Sequence, residues 1–365
     1  MPVEPRPEVA SIPLVPHGGR GAEEPAACGP PSGDVLDFSV NTSPLGPPPS
    51  VAEALRSLDV ARYPDPTALA LRTALAERLG LDAAQLVVGN GSSELIWLLA
   101  LAYARPAPAT VLIVAPTFGE YERACRLLGA TVTHEVATPE RQFRPDVAGL
   151  AARIRRERPR LVWLCNPNNP TGHYAGRPAV GALLEACVSA GALLVVDEAY
   201  LAFVDRPDSL LDLLPSGHLF LLRSLTKDYA LAGLRLGFGA GTREMADALR
   251  RVQPPWSVNA AAQAAGIAAL ADHASLERMR REVQAARAAL VAGLERLGFA
   301  VTPPAANFVL VEVGDAAAMR RSLLARGYLV RDCASFGLPR HIRIAVRRRA
   351  ECARLLAAME ELATR

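Results

Sequence analysis

Ala192-Leu193-Leu194-Val195-Val196-Asp197-Glu198-Ala199-Tyr200 is an apolar run of strand length that stops at two carboxylates. Runs of similar length recur on either side of it, at 86–89, 110–115, 130–136, 160–165, 219–223 and 235–240, and stretches of helical pattern separate them. That alternation predicts an α/β fold built on a doubly wound, mostly parallel sheet of seven strands with helices on both faces. The last two runs lie too close together for a helical crossover, so one of them is expected to be antiparallel. A carboxylate placed directly after a buried strand is costly unless it is paired. Asp197 is therefore expected to face a cation, either a protonated ring nitrogen of a ligand or an arginine.

The flanking sequence divides the chain. Residues 1–34 are rich in Pro and Gly and read as an extended arm. Residues 49–258 carry the seven runs and form the expected large domain. Asp37 to Asn41 reads as a short strand, with helices expected near 50–58 and over 67–80. Residues 258 to about 298 are Ala-rich and helical, with a break near 272–275. They lead into strands expected at 307–313, 328–331 and 341–346 and a closing helix at 349–363. Residues 35–48 and 259–365 are thus assigned to a smaller α+β domain, with 259–300 including the linking helical segment.

Half of the 365 residues are hydrophobic, enough for one large core and a smaller one. The net charge of +3 arises from 40 basic and 37 acidic residues with no long block of one sign, which does not suggest nucleic acid or a membrane surface as partner. Met1 to Pro16 lacks a signal-peptide pattern, and no stretch approaches the ~20 apolar residues of a bilayer span, so the cytoplasm is the expected location. Cys28, Cys125, Cys165, Cys187, Cys333 and Cys352 are far apart and read as free, mostly buried thiols. Neither they nor the six histidines show metal-ligand spacing.

One lysine stands among thirty-nine arginines. An arginine stays charged at any accessible pH, whereas a lysine amine can lose its proton and condense with a carbonyl. Lys227 closes Ser224-Leu225-Thr226-Lys227 at a strand end, and Arg235 follows eight residues later. Ligands of open parallel sheets bind beyond the carboxyl ends of the strands, and other polar motifs fall there too. Gly89-Asn90-Gly91-Ser92-Ser93-Glu94 opens an apolar helix and offers backbone amides and hydroxyls to a phosphate, or serves only as a cap. Asn166 to Gly172 (AsnProAsnAsnProThrGly) follows the 160–165 strand.

These motifs, in this order, resemble the pyridoxal-phosphate enzymes with the aspartate-aminotransferase fold (fold type I), and the likeness runs from about residue 35 to 350. The resemblance implies pyridoxal 5'-phosphate as cofactor, with Lys227 bonded to its aldehyde and shuttling the proton at the substrate α-carbon. By the same resemblance Asp197 holds the ring nitrogen protonated, Asn169 and Tyr200 bond the phenolic oxygen, and Phe118 stacks on the ring. Gly91, Ser92, Ser224 and Arg235 bind the cofactor phosphate. Tyr63, in Arg62-Tyr63-Pro64-Asp65-Pro66, reaches that phosphate from a neighbouring subunit, which implies a homodimer. Arg343 grips a substrate carboxylate.

Within the fold, the chain looks most similar to the branch that holds histidinol-phosphate aminotransferases and threonine-phosphate decarboxylases. Arg331 is then a candidate for the substrate phosphate. Asn41 fits the substrate-entry segment of either enzyme. His17-Gly18-Gly19 resembles an arm that the decarboxylases lay over their site, which implies that His17 and the adjacent amides of Gly18 and Gly19 bind the substrate phosphate, and Val330 to Gly337 with Ile342 to Arg347 reads like their C-terminal signature. The expectation drawn from these is a lyase that releases CO2 from L-threonine O-3-phosphate to give (R)-1-aminopropan-2-yl phosphate for cobalamin. Amino transfer from histidinol phosphate to 2-oxoglutarate is the alternative, and a cofactor-binding regulator without turnover is a remote one.

Overall fold

The computed structural model describes residues 3–19, 35–104 and 109–363. The expected arm from 20 to 34, with Cys28, lies outside the described residues. What is described of the arm begins with a short helix, α1 (Pro7–Ser11), and β1 is only Leu36–Asp37. The expected strand at 37–41 stops there because the Asp37 carboxylate accepts from both the amide and the hydroxyl of Ser39, each at 2.7 Å. An aspartate bonded two residues ahead turns the chain out of extended pairing.

Helices α2 (Pro49–Arg56) and α3 (Leu69–Leu79) lead to β2 (Leu86–Asn90) and α4 (Ser92–Tyr103). Then β3 (Thr110–Ala115), α5 (Glu120–Leu127), β4 (Thr131–Val136), α6 (Val147–Glu157), β5 (Leu161–Cys165), α7 (Arg177–Ala190) and β6 (Leu193–Asp197) alternate as expected. β7 (Leu219–Ser224), β8 (Leu236–Ala240) and α8 (Arg243–Val252) complete this part. The seven strands form one sheet in the order β2-β8-β7-β6-β5-β3-β4. β8 is antiparallel to both neighbours and every other pairing is parallel. Six strands therefore end on the same edge, and all five residues of β5 and of β6 are buried. Helices on both faces account for this, since a strand covered on two sides has no polar face to alternate.

The chain leaves β3 for β4 in one direction and returns past it to β5, β6 and β7. The crevice created where strand order reverses is the place a ligand is expected in such sheets. Phe118 follows β3 and Asn169 follows β5, so both stand at that crevice.

The helical region expected at 258–298 is two helices, α9 (Ala260–Ala271) and α10 (His273–Arg296). Asp272 breaks it by accepting from the Ser275 amide at 2.9 Å, an N-cap for α10. Next come β9 (Ala300–Thr302), which the sequence reading did not include, β10 (Phe308–Glu312) and α11 (Ala316–Leu324). The single strand expected at 328–331 is split. β11 (Tyr328–Leu329) pairs in parallel with β1, while β12 (Arg331–Asp332) joins β13 (His341–Ala345) in the antiparallel sheet β12-β13-β10-β9. Helix α12 (Arg349–Ala363) closes the chain. The split matters for function because it sets Arg331 directly opposite Arg343.

Candidate active site

At the carboxyl edge of the large sheet lies a cavity of about 380 Å³. All the expected site residues line it except Gly19 and Tyr63. Gly19 sits just behind the lining, where its amide donates to the Ser39 hydroxyl at 2.8 Å. Tyr63 is 80% exposed and packs on Trp256 with ring centroids 4.8 Å apart, outside the cavity.

Asp197 ends β6 at the floor of the cavity, fully enclosed. The Tyr121 hydroxyl donates to it at 2.6 Å and the Ala199 amide at 2.9 Å. Burial holds this carboxyl above its usual range, against the lowering effect of the Tyr121 bond. No arginine pairs with it among the described residues, and the charge it faces is the Lys227 amine. Tyr121 itself stacks on Trp163, with centroids 4.8 Å apart and planes 13° from parallel, so its hydroxyl is fixed in aim.

Lys227 faces Asp197 from beyond β7. Burial, then the charges of Arg343 and Arg235, lower its amine from 10.5 to about 8, while Asp197 opposes the shift. A lysine in such a setting is partly neutral near physiological pH and so can act as a nucleophile and a proton carrier.

One end of the cavity is made for an anion. Gly91 caps the twelve-residue helix α4 with φ at +77°, and a Cβ there would lie 2.7 Å from the Arg235 guanidinium. Only glycine leaves room for that arginine against the backbone. Arg235 is itself held in the left-handed region at φ +61°. Ser92 and Ser224 complete the cradle with Thr226, whose hydroxyl lies 2.7 Å from that of Ser224. Thr226 was quoted in the sequence motif without being singled out. Its signal was the i, i+2 spacing from Ser224.

The opposite wall holds the second cationic group. Arg343 is buried, donates to the Asn169 side-chain oxygen and gives a 2.8 Å bond to the Ser39 carbonyl, yet its Nε finds no partner. Asn41 donates to the Tyr200 hydroxyl at 3.3 Å while its own Oδ1 is also buried and unpartnered. Buried polar atoms are rarely left unpaired, so these two mark where a polar ligand completes the wall. Phe118 lies edge-on to Tyr121 at 5.7 Å.

A near-neutral lysine, a deep carboxylate without an arginine partner and an anion cradle at a helix N-terminus fit pyridoxal phosphate group by group. Together with the doubly wound sheet they define the pyridoxal-phosphate enzymes of fold type I. The sequence model of the family described as "Aminotransferase class I and II" matches residues 33–359, and the chain belongs to that family. A histidinol-phosphate aminotransferase of Thiobacillus denitrificans is 40% identical over 335 residues, covering 90% of this chain and 85% of the relative. The crystal structure of the histidinol-phosphate aminotransferase from Clostridium acetobutylicum matches with TM-score 0.83 at 27% identity, covering 90% of this chain and 99% of the other. That from Sinorhizobium meliloti, solved in complex with pyridoxal-5'-phosphate, matches with TM-score 0.82 at 29% identity over 91% and 92%. The protein is a pyridoxal-phosphate-dependent enzyme of the aminotransferase class, and among its described residues no helix is long and apolar enough to cross a membrane.

These matches overturn the expectation of threonine-phosphate decarboxylation, since relatives spanning nine-tenths of the chain carry the aminotransferase name. The physical reason is that both reactions cleave a bond at the α-carbon with nearly the same residues. The arm and the C-terminal string, on which the choice had rested, do not separate the two reactions.

Proposed function

We propose that the protein transfers the amino group of histidinol phosphate to 2-oxoglutarate. The observation that carries this reading is the length and level of similarity to proteins of that name, joined to two arginines that face one cavity from paired strands. One substrate carries a phosphate and the other carboxylates, so two separate cationic sites suit the pair. Arg343, buried and with a free Nε, is assigned to a carboxylate of 2-oxoglutarate, for which a planar fork is well matched. Arg331 is assigned to the phosphate of the amino donor.

When bound, the cofactor supplies an electrophilic aldehyde and a ring that accepts electrons from the α-carbon. Lys227 would hold it through its amine and would carry the proton to and from the substrate α-carbon. Asp197, kept in place by Tyr121, provides the negative charge that pairs with the protonated ring nitrogen. Asn169 and Tyr200 orient the phenolic oxygen, Phe118 covers the ring, and Gly91, Ser92, Ser224 and Arg235 hold the phosphate. Tyr63 reaches the same phosphate from a second copy of the chain. The exposure of both Tyr63 and Trp256 supports a homodimer that covers them.

Purified holoenzyme given histidinol phosphate and 2-oxoglutarate is expected to form glutamate in proportion to the donor consumed. If no glutamate appears with this pair while the cofactor is bound, the reading is wrong.

A further inference from the structure

The arm lies across the mouth of the cavity, and three ties hold it there. Arg331 donates to the carbonyls of His17 at 2.8 Å and Pro16 at 2.9 Å, and to the Ser335 hydroxyl at 2.9 Å. Gly18 packs so tightly on the Ser39 carbonyl that a Cβ would collide with it, and Gly19 bonds the Ser39 hydroxyl. The third tie joins His17 Nε2 to Glu120 Oε1 at 3.4 Å. Val15 fills the space beside Gly119, where a Cβ would stand 3.1 Å from its methyl.

Glu120 is unusual for a residue outside the reaction. Its side chain is 6% exposed, and its carboxyl is held below the usual range first by the His17 hydrogen bond, against the cost of burial. A buried carboxylate stays ionised only where cations meet it. The groups that meet it here are the His17 ring from the arm and the Arg123 guanidinium, also at 3.4 Å, from its own helix α5. Phe118, two residues before Glu120, lies 5.9 Å from the His17 ring, so the pair joins the arm to the loop that covers the cofactor face.

Arg331 links this latch to substrate. Its three bonds use three of five N–H donors, which leaves two for an anionic oxygen in the cavity. A docked arm holds the guanidinium plane in place, and an anion on that plane in turn favours the docked arm. Such coupling between two contacts is reciprocal.

We infer that Glu120 is a positioning residue for the phosphate-bearing substrate: by anchoring His17 it keeps the arm on Arg331 and so presets that guanidinium for phosphate. The specificity part rests on the proposed function. The latch itself does not. The keto acid, which carries no phosphate, gains nothing from this anchoring.

The test combines steady-state kinetics with hydrogen exchange on the holoenzyme. Glu120→Gln keeps an acceptor but removes the charge, and His17→Ala removes the same pair from its exposed end without touching a buried group. Both are expected to raise KM for histidinol phosphate by about fivefold, with kcat and the KM for 2-oxoglutarate changed by less than about twofold, the range of one partly exposed polar contact. Inorganic phosphate should slow amide exchange over residues 12–19 in the unmodified protein and do so less in either variant. Arg123→Ala, which leaves the His17 contact in place, should retain the phosphate effect. Equal changes in KM for both substrates would overturn the specificity claim. Failure of phosphate to protect 12–19 in the unmodified protein would overturn the latch. If histidinol phosphate is not a substrate at all, the proposed function falls while the exchange experiment still decides the latch.

Discussion

Two carboxylates, adjacent in sequence at the end of β6, face opposite ways and meet opposite fates. Asp197 enters the 380 Å³ cavity with Lys227, while Glu198 enters a second cavity of about 290 Å³ with Asp228, and Ala199 with Ser224 forms the wall between them. Glu198 has its own cation, Arg223, at 2.8 Å. Asp197 has a tyrosine, an amide and no arginine. Successive side chains of a strand alternate in direction, so one step along the chain separates a carboxylate paired with an arginine from one that lines the cavity with Lys227. The lesson is that burial of a charge does not mark a site by itself. What sets Asp197 apart is that the charge it faces in its cavity is a lysine able to lose its proton.

Exchanging each acid for its amide tests this difference most severely. Asp197→Asn should retain the cofactor on Lys227 yet lose about a thousandfold in kcat, because a neutral side chain no longer stabilises the protonated ring. Glu198→Gln should leave kcat within about threefold and instead destabilise the chain by roughly 1–3 kcal/mol, since Arg223 loses its partner but is 22% exposed and can recruit water. Urea unfolding and turnover measured on both proteins separate the two effects. The comparison collapses if Glu198→Gln is as inactive as Asp197→Asn.

What the sequence could and could not carry follows from the range of each interaction. The seven apolar runs, their mostly parallel pairing and the presence of one antiparallel strand in the last pair could be read from apolar runs and spacing, whereas the order of the strands could not. That Arg223 pairs with Glu198 and not with Asp197 could not be read either, because it depends on which side of the strand each carboxylate faces. The role of Tyr121 was not legible in the sequence. It lies one helical turn from Phe118, and spacing alone does not tell that its hydroxyl crosses 76 positions of sequence to reach Asp197. Arg331 was expected to face a phosphate, and its bonds to Pro16 and His17 span more than 300 residues. The short β9 was missed because three residues before two prolines give too little periodicity to read. The decarboxylase expectation failed for a different reason: it asked local strings to fix a reaction that substrate pose decides.

The second pair in the two cavities, Lys227 and Asp228, sharpens the same contrast through pH. The Lys227 amine titrates near 8, so covalent loading of pyridoxal phosphate onto the apoenzyme should quicken as pH rises through that value and level off above it. Arg343→Gln removes a cation that disfavours the protonated amine, and the midpoint should then move to higher pH. Trapping with borohydride and weighing the protein by mass spectrometry follows the rate. A midpoint at the ordinary 10.5 would mean that the cavity does not tune this amine.

The smallest effect belongs to Asp228, which lies on the Glu198 side and is raised from 3.8 to about 7 by burial. The folded chain then keeps a proton that the unfolded chain loses, so between about 3.8 and 7 stability falls as pH rises, and above 7 it no longer changes on this account. Asp228→Asn removes the cost of ionising a carboxyl there. Its melting temperature should exceed that of the unmodified protein by a margin that grows from pH 5 to pH 8 by about 1–3 °C, the size expected for a partly exposed group in a chain of this length. Turnover should change little, because Asp228 faces away from the cavity that holds Lys227. A margin equal at both pH values would show that this carboxyl titrates normally, and the second cavity would then be wetter than its lining of Leu75, Leu79, Leu225 and Phe238 implies.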